Sequence, residues 1–290
     1  MKSVIVDGKG GLSLAEAPMP RLDAYDCLVR MEACAFCNST DRHIVEGSMP
    51  FPVPYPSILG HESVGLVEVV GDRVRHFAVG DRVLRPYAIY PDETHGALRS
   101  AWGGFSEYGK VRDAAAMAED RKLGVNSIPH QHRYQQKLPA QISARQAVLM
   151  IPQKEILSCV RALGEVRGTR YLVLGAGIVG LLFGLFLRRK GAHVTLAARR
   201  HAPLDFALRH GAADEVCPLG ESTPSHGSFE ALVETTGSLD AARRALPSLN
   251  PGGKIWMYAI YGDSSETALA PLKAHHLVAR IDPKEAEAHD

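Results

Sequence analysis

Apolar positions fall in short runs along the first half of this chain and recur at helical spacing only in the second. Segments such as Ser63-Val-Gly-Leu-Val-Glu-Val-Val70 and Asp81-Arg-Val-Leu84, punctuated by glycine and proline, predict short strands in a barrel-like, all-β region. From Ser143 to Leu163 the pattern turns helical, with an interruption expected at Pro152. Beyond it, strands predicted near 171–175, 193–197, 214–216, 231–234, 254–259 and 277–280 alternate with helices, and Gly252-Gly253 marks the turn before the fifth. Six strands with intervening helices predict an α/β architecture, a doubly wound parallel sheet. The chain therefore reads as two domains, 1–142 and 143–290, with a polar surface excursion over 119–136. It shows no internal repeat and no low-complexity segment.

The sharpest local signal lies at the start of the second domain. Tyr171-Leu-Val-Leu-Gly175-Ala-Gly177-Ile-Val-Gly180 joins an apolar β-forming run to three glycines spaced G-x-G-x-x-G, and a helical apolar pattern follows from Ile178 to Leu187. Gly175 permits the tight strand-to-helix turn, Gly177 lets backbone approach a pyrophosphate, and Gly180 lets the helix pack close to the sheet. The free N–H groups at the helix start, around Ile178 and Val179, complete a dinucleotide phosphate site. Leu172 to Leu187 also resembles a membrane span, but the run is shorter than the roughly 20 residues needed to cross a bilayer.

The second strand of this domain, His193-Val-Thr-Leu-Ala197-Ala198, runs into Arg199-Arg200. An NAD site usually ends this strand with a carboxylate that accepts from the ribose 2′-hydroxyl, and Ala198 stands there instead. Two guanidiniums suit a 2′-phosphate, so NADP is expected over NAD, with ordinary solvated surface charge as the plain alternative.

Composition changes the picture little. A net charge of +1 gives no argument for nucleic acid or an anionic membrane as partner. The start, Met1-Lys-Ser-Val-Ile-Val-Asp7-Gly8, lacks the apolar core of a signal peptide. Five scattered cysteines do not make a disulfide framework, and a reducing, cytoplasmic setting is expected.

Candidate chemistry sits in the first domain. Gly60-His61-Glu62 follows an approach spaced by Pro50, Pro52, Pro54 and Pro56, and upstream lies Cys34-Ala-Phe-Cys37-Asn-Ser-Thr40-Asp41-Arg-His43. A thiolate and an imidazole brought together by the fold would begin a zinc site with an open position. A buried cysteine and a core histidine remain the bland alternative.

These motifs in this order resemble the medium-chain dehydrogenase/reductase family, in its zinc-dependent alcohol, sorbitol and threonine dehydrogenase branch. The resemblance rests on Ala33-Cys-Ala-Phe-Cys37, Gly60-His-Glu-Ser-Val-Gly65, Val69-Val-Gly71 with Val79-Gly-Asp-Arg-Val83, and Gly103-Gly-Phe-Ser-Glu-Tyr108. The dinucleotide glycines, Glu234-Thr-Thr-Gly237 and Pro251-Gly-Gly-Lys254 complete it. It implies a GroES-like β-barrel catalytic domain ahead of a Rossmann domain, and a homo-oligomer, dimer or tetramer, acting on a small alcohol or ketone. By resemblance, Cys37 and His61 are zinc ligands, with Glu62 an alternate ligand. Thr40 would touch the substrate hydroxyl, Asp41 would orient His61, and His43 would end a proton relay. Thr236 would contact the cofactor beside Gly175, Gly177, Ile178, Val179, Gly180, Arg199 and Arg200.

The chain departs from the family's pattern in four places. One extra residue separates Cys37 from Asp41, which makes Asn38 a rival for the ligand place. The usual third ligand aligns with Ile151, which cannot bind metal; Glu155, four residues on and on the same helical face, is the candidate in its stead. Leu84 to Trp102, where relatives carry four closely spaced structural-zinc cysteines, contains none, so one catalytic zinc and no structural zinc are expected. Relatives also continue well beyond the sixth strand, whereas this sequence stops at Lys284-Glu-Ala-Glu-Ala-His-Asp290, which reads as the opening of a further helix in a fragment or truncated variant. The expected function is a zinc-assisted, NADP-preferring oxidation of a secondary alcohol or polyol. The rivals are a zinc-free enone or quinone reductase of the same fold and a non-catalytic nucleotide-binding protein.

Overall fold

The computed structural model describes every residue except 94, 125–126, 221, 223, 262–265 and 285–290, so the further helix expected there lies outside the described residues. Contacts divide the chain into Met1–Ile151 and Pro152–Asp290.

The first unit is built on two four-stranded sheets. One has the order β2 (Leu12–Glu16), β1 (Lys2–Val6), β4 (Ser57–Ile58), β7 (Arg99–Ser100). The other runs β6 (Arg82–Leu84), β5 (Glu62–Val70), β3 (Asp26–Ala35), β8 (Tyr108–Arg112). Alternation in β3 and β5 buries Cys27, Val29 and Val67 together with Val83 and Val111, all without solvent exposure. Among the described residues, α1 (Thr40–Glu46), α2 (Ala114–Arg121) and the single turn α3 (His130–Arg133) join the strands. Part of the expected polar excursion is thus helical.

Two buried carboxylates fasten this unit. Asp113 caps α2 by accepting from the Ala116 N–H at 2.9 Å, and also accepts from the backbone N–H groups of Arg75 and His76 at 2.7 and 2.8 Å. Burial pushes its carboxyl up, but those N–H bonds outweigh it and hold the group below the ordinary carboxylate range. A depressed folded pKa stabilises above the unfolded value near 3.9 and ceases to do so as pH falls through the folded one. Asp113→Ala should therefore lower stability by roughly 1–2 kcal/mol at neutral pH. The gap in melting temperature from the unmodified protein should narrow below about pH 4; a gap that stays constant down to pH 3 by calorimetry would remove the charge from this account. Asp26 pairs with Arg112 through bonds of 2.7 and 3.0 Å, beside the fully buried Lys110. Lys110 Nζ donates to Glu93 and to the Arg21 carbonyl, each at 2.5 Å. Glu93 belongs to the cysteine-free stretch between Leu84 and Trp102, so an ion pair to a buried lysine ties down that loop.

Helix α4 (Ala144–Ala162) runs through Pro152 without a break. Proline removes one helical hydrogen bond and costs ~3 kcal/mol. Burial on both sides of it, at Ala147 and Ile151 and again at Ile156, Cys159 and Val160, keeps the helix continuous.

In the second unit, all strands of the sheet are parallel, in the order β11 (Glu215–Pro218), β10 (His193–Ala198), β9 (Arg170–Leu174), β12 (Phe229–Glu234), β13 (Leu249–Met257), β14 (Leu277–Arg280). This is the doubly wound order, with the strand sequence reversing between β9 and β12. Helices α5 (Ile178–Arg189), α6 (His201–Arg209), α7 (Leu239–Ala245) and α8 (Glu266–Lys273) connect it. Gly252-Gly253 lies inside β13 rather than ahead of it. The register jumps from Phe229↔Leu249 to Ala231↔Lys254, and the positive φ of Gly252 (75°) lets the extra residues bulge out without ending the strand. No described helix is long and apolar enough to cross a membrane.

Candidate metal centre and dinucleotide cradle

Sheet register assembles the metal group. Antiparallel pairing of β3 with β5 sets Ala35 opposite Glu62 and Cys34 opposite Ser63. The chain leaving β3 therefore delivers Cys37 beside the residues that open β5, His61 and Glu62. The positive φ of Gly60 (110°) makes the turn into His61, and a Cβ there would come within 2.8 Å of the Phe105 nitrogen. The ligand atoms of Cys37, His61 and Glu62 all lie within 4.8 Å of one another.

Asp41 fixes two of the three. In the first turn of α1, fully buried, it accepts the Cys37 N–H at 2.8 Å through Oδ2 and faces His61 Nδ1 at 3.0 Å through Oδ1. The second contact leaves His61 Nε2 facing the group, 3.8 Å from a Glu62 oxygen. Carboxylate, imidazole and metal in series is the usual way an outer partner sets a ligating histidine's orientation and basicity. Burial of His61 acts to lower its pKa, but hydrogen bonds to Asp41 and Cys37 prevail and push it up to about 10. A bound cation would displace that proton. Thiolate, imidazole and carboxylate with one side open is a donor set that fits zinc.

The other candidates fall as follows. Cys34, the second thiol of the motif, points at the Ala35 carbonyl, and burial pushes its pKa well up, so it is an inert packing group. Asn38 is exposed. Thr40 begins α1, and the buried His43 on the same helix holds Ser48 Oγ at 2.7 Å through Nδ1. Ile151 is buried among Val64, Leu84, Leu138 and Ala147. Glu155 belongs to the second unit, where it accepts from the Tyr258 hydroxyl at 3.3 Å. Among the described residues, Cys37, His61 and Glu62 are the one group of three or more with metal-ligand geometry.

Two site residues escape a reading of the sequence. The Trp102 ring lies 5.2 Å from the His61 ring, with the backbone at φ 64°. Arg85, 4% exposed and at φ 51°, places a positive charge that opposes protonation of His61. Neither carries a motif; the one available signal was Gly103-Gly104 directly after the tryptophan.

The cradle in the second unit follows from close approach. Gly175 turns at φ 105° out of β9, and Gly177 starts α5. A Cβ on Gly180 would sit 1.9 Å from the Gly175 carbonyl oxygen, so only glycine allows helix and turn to meet. Thr235 and Thr236 close the other side, since a Cβ on Gly175 would be 2.6 Å from Thr235 Oγ1 and 3.0 Å from Thr236 Cγ2. The buried Glu234 holds that segment by accepting from the Thr236 hydroxyl, its N–H at 2.6 Å, the Gly237 N–H at 3.1 Å and the Tyr261 hydroxyl. Arg199 and Arg200 are exposed at the end of β10.

Comparison with known proteins gives the same assignment. Residues 23–120 match the alcohol dehydrogenase GroES-like domain. D-arabinitol dehydrogenase 1 of Uromyces fabae is 29% identical over 294 residues, covering 90% of this chain and 75% of the relative. Sorbitol dehydrogenase of Macaca fascicularis is 28% identical, covering 97% and 80%. The structure of 2R,3R-butanediol dehydrogenase from Bacillus subtilis superposes with a TM-score of 0.72 at 21% identity, covering 97% of this chain and 84% of that one. In sequence and fold the chain is similar to the medium-chain dehydrogenase/reductase family, in its alcohol and sorbitol dehydrogenase-like branch. It is an oxidoreductase of that type.

Proposed function

We infer that this oxidoreductase uses one zinc ion and prefers NADP in interconverting a secondary alcohol, polyols included, with its ketone. The observation that carries the reading is the Cys37–His61–Glu62 group with Asp41 behind it. A zinc-free reductase of the same fold has no need of that set. Bound there, zinc would supply Lewis acidity that lowers the pKa of a substrate hydroxyl. Asp41 would hold His61 with Nε2 free to ligate the ion and would keep Cys37 in place. Thr40, at the start of α1, is the residue to receive the hydroxyl proton, and His43, on the same helix, to pass it onward. Gly175, Gly177, Ile178, Val179 and Gly180 would hold the pyrophosphate, with Thr236 beside the first of them. The scattered cysteines suit a cytoplasmic protein, and the family resemblance supports a dimer or tetramer. The test is nicotinamide reduction by zinc-loaded protein over a panel of secondary alcohols and polyols. No reduction of either cofactor by any member would contradict the reading.

Cofactor choice rests on Ala198, Arg199 and Arg200. NADPH should bind more tightly than NADH, and Arg199→Ala with Arg200→Ala should narrow the ratio roughly ten- to hundredfold if both guanidiniums hydrogen-bond the 2′-phosphate. Fluorescence titration reads both affinities; tighter NADH binding by the unmodified protein would overturn the preference.

A further inference from the structure

A cavity of about 280 Å³ lies in the first unit, walled by Ile44, Met49, Phe51, Val53, Tyr87 and Trp102. Trp102 links it to the metal group, because the same indole packs 5.2 Å from the His61 ring. Its φ of 64° is strained for a bulky side chain, the kind of strain that persists where the surroundings hold a functional geometry. Its Nε1 and Ser100 Oγ, on the same wall, are sealed from solvent and have no hydrogen-bond partner among the described residues, so neither offers a ligand in the cavity a hydrogen bond. Two further polar groups around the cavity are engaged elsewhere. The Tyr90 hydroxyl donates to Gln135 at 3.2 Å, and an Arg99 guanidinium nitrogen donates to the carbonyls of Gly96 and Leu98 at 2.9 and 3.0 Å.

We propose that this cavity receives the non-reacting part of the substrate and selects an alcohol or ketone with a ring or branched hydrocarbon body. The inference rests on the oxidoreductase reading and deepens it. A polyol would set several hydroxyls against Ile44, Met49, Phe51 and Val53, where they lose water and find no partner. A hydrocarbon body gains there by leaving water. Named relatives act on polyols, so selectivity for an apolar body would set this chain apart from them.

The sequence holds two tryptophans, Trp102 and Trp256, so Trp256→Phe leaves Trp102 as the sole indole reporter. In zinc-loaded Trp256→Phe protein with the oxidised cofactor, a ketone can bind but cannot be reduced. Cyclohexanone and D-fructose are titrated against Trp102 emission and by calorimetry. Cyclohexanone should shift the emission saturably and bind at least about tenfold more tightly than fructose. By calorimetry, Trp102→Leu should weaken cyclohexanone about tenfold while zinc content and cofactor affinity hold. Phe51→Ser, at a position 55% exposed, should weaken it as well and serves if Trp102→Leu does not fold. Fructose binding as tightly as cyclohexanone, or cyclohexanone binding that ignores Trp102 and Phe51, would overturn the proposal. Reduction of both ketones by NADPH is followed separately. Binding at Trp102 without turnover of either would contradict the oxidoreductase reading alone, and turnover of fructose without a response at Trp102 would contradict the cavity alone.

Discussion

His61→Ala should yield a folded protein that retains no stoichiometric zinc and no alcohol-dependent nicotinamide reduction. The imidazole is one of only three ligands gathered in the group, and it is the one that Asp41 holds in position. Removing an outer partner of this kind typically lowers metal affinity 10–100-fold, so loss of the ligand itself should exceed that range. The substitution also leaves Asp41 Oδ1 buried without its partner, which should lower stability by about 1–3 kcal/mol without unfolding the domain. Asp41→Asn separates the effects. It keeps the ligand but disturbs its orientation, so zinc should bind about 10–100-fold more weakly and activity should return with excess metal. Metal analysis of both variants reads the outcome; stoichiometric zinc in His61→Ala would remove His61 from the site.

Gly180→Ala should damage the second unit as severely as His61→Ala damages the first. The added Cβ would meet the Gly175 carbonyl oxygen at 1.9 Å and Thr235 Oγ1 at 3.3 Å. Backbone cannot yield as a flexible side chain can, so α5 must move away from the turn that it caps. Overpacking of this kind costs about 1–3 kcal/mol or more, and NADPH affinity should fall at least about tenfold with it. Gly177→Ala is the discriminating control. Nothing lies within 4 Å of a Cβ at Gly177, and its φ of −76° is ordinary. That variant should melt like the unmodified protein while still weakening the cofactor, because its methyl would point where the pyrophosphate must approach. Equal melting temperatures for all three proteins by calorimetry would show that the close approach at Gly180 is not needed.

The features legible in the sequence are those that local sterics and short spacing encode. The three glycines at 175, 177 and 180 have distinct local reasons, two of them visible as a positive φ and a forbidden Cβ. All six strands of the parallel sheet lie close to where the short apolar runs between helical segments place them. What escaped depends on partners distant in sequence. Pro152 reads as a break because its cost is local, whereas the burial that keeps α4 continuous comes from Ile151 and Ile156 packing against residues far along the chain. Gly252-Gly253 reads as a turn, and only the pairing of β12 with β13 turns it into a bulge. Cys34 and Cys37 look alike on spacing; the register of β3 against β5 aims one at backbone and the other at His61. Trp102 and Arg85 belong to a loop whose path is set by Lys110 and Glu93, and no local pattern places them beside the histidine.

Reversible removal of the metal tests the central claim most directly. The unmodified protein is dialysed against a chelator, analysed for zinc, and titrated with the ion while NADP reduction by a secondary alcohol is followed. Activity should vanish with the metal and return along a line that saturates at one zinc per chain, with no second equivalent needed for folding. Full alcohol oxidation by the metal-free protein would contradict the account.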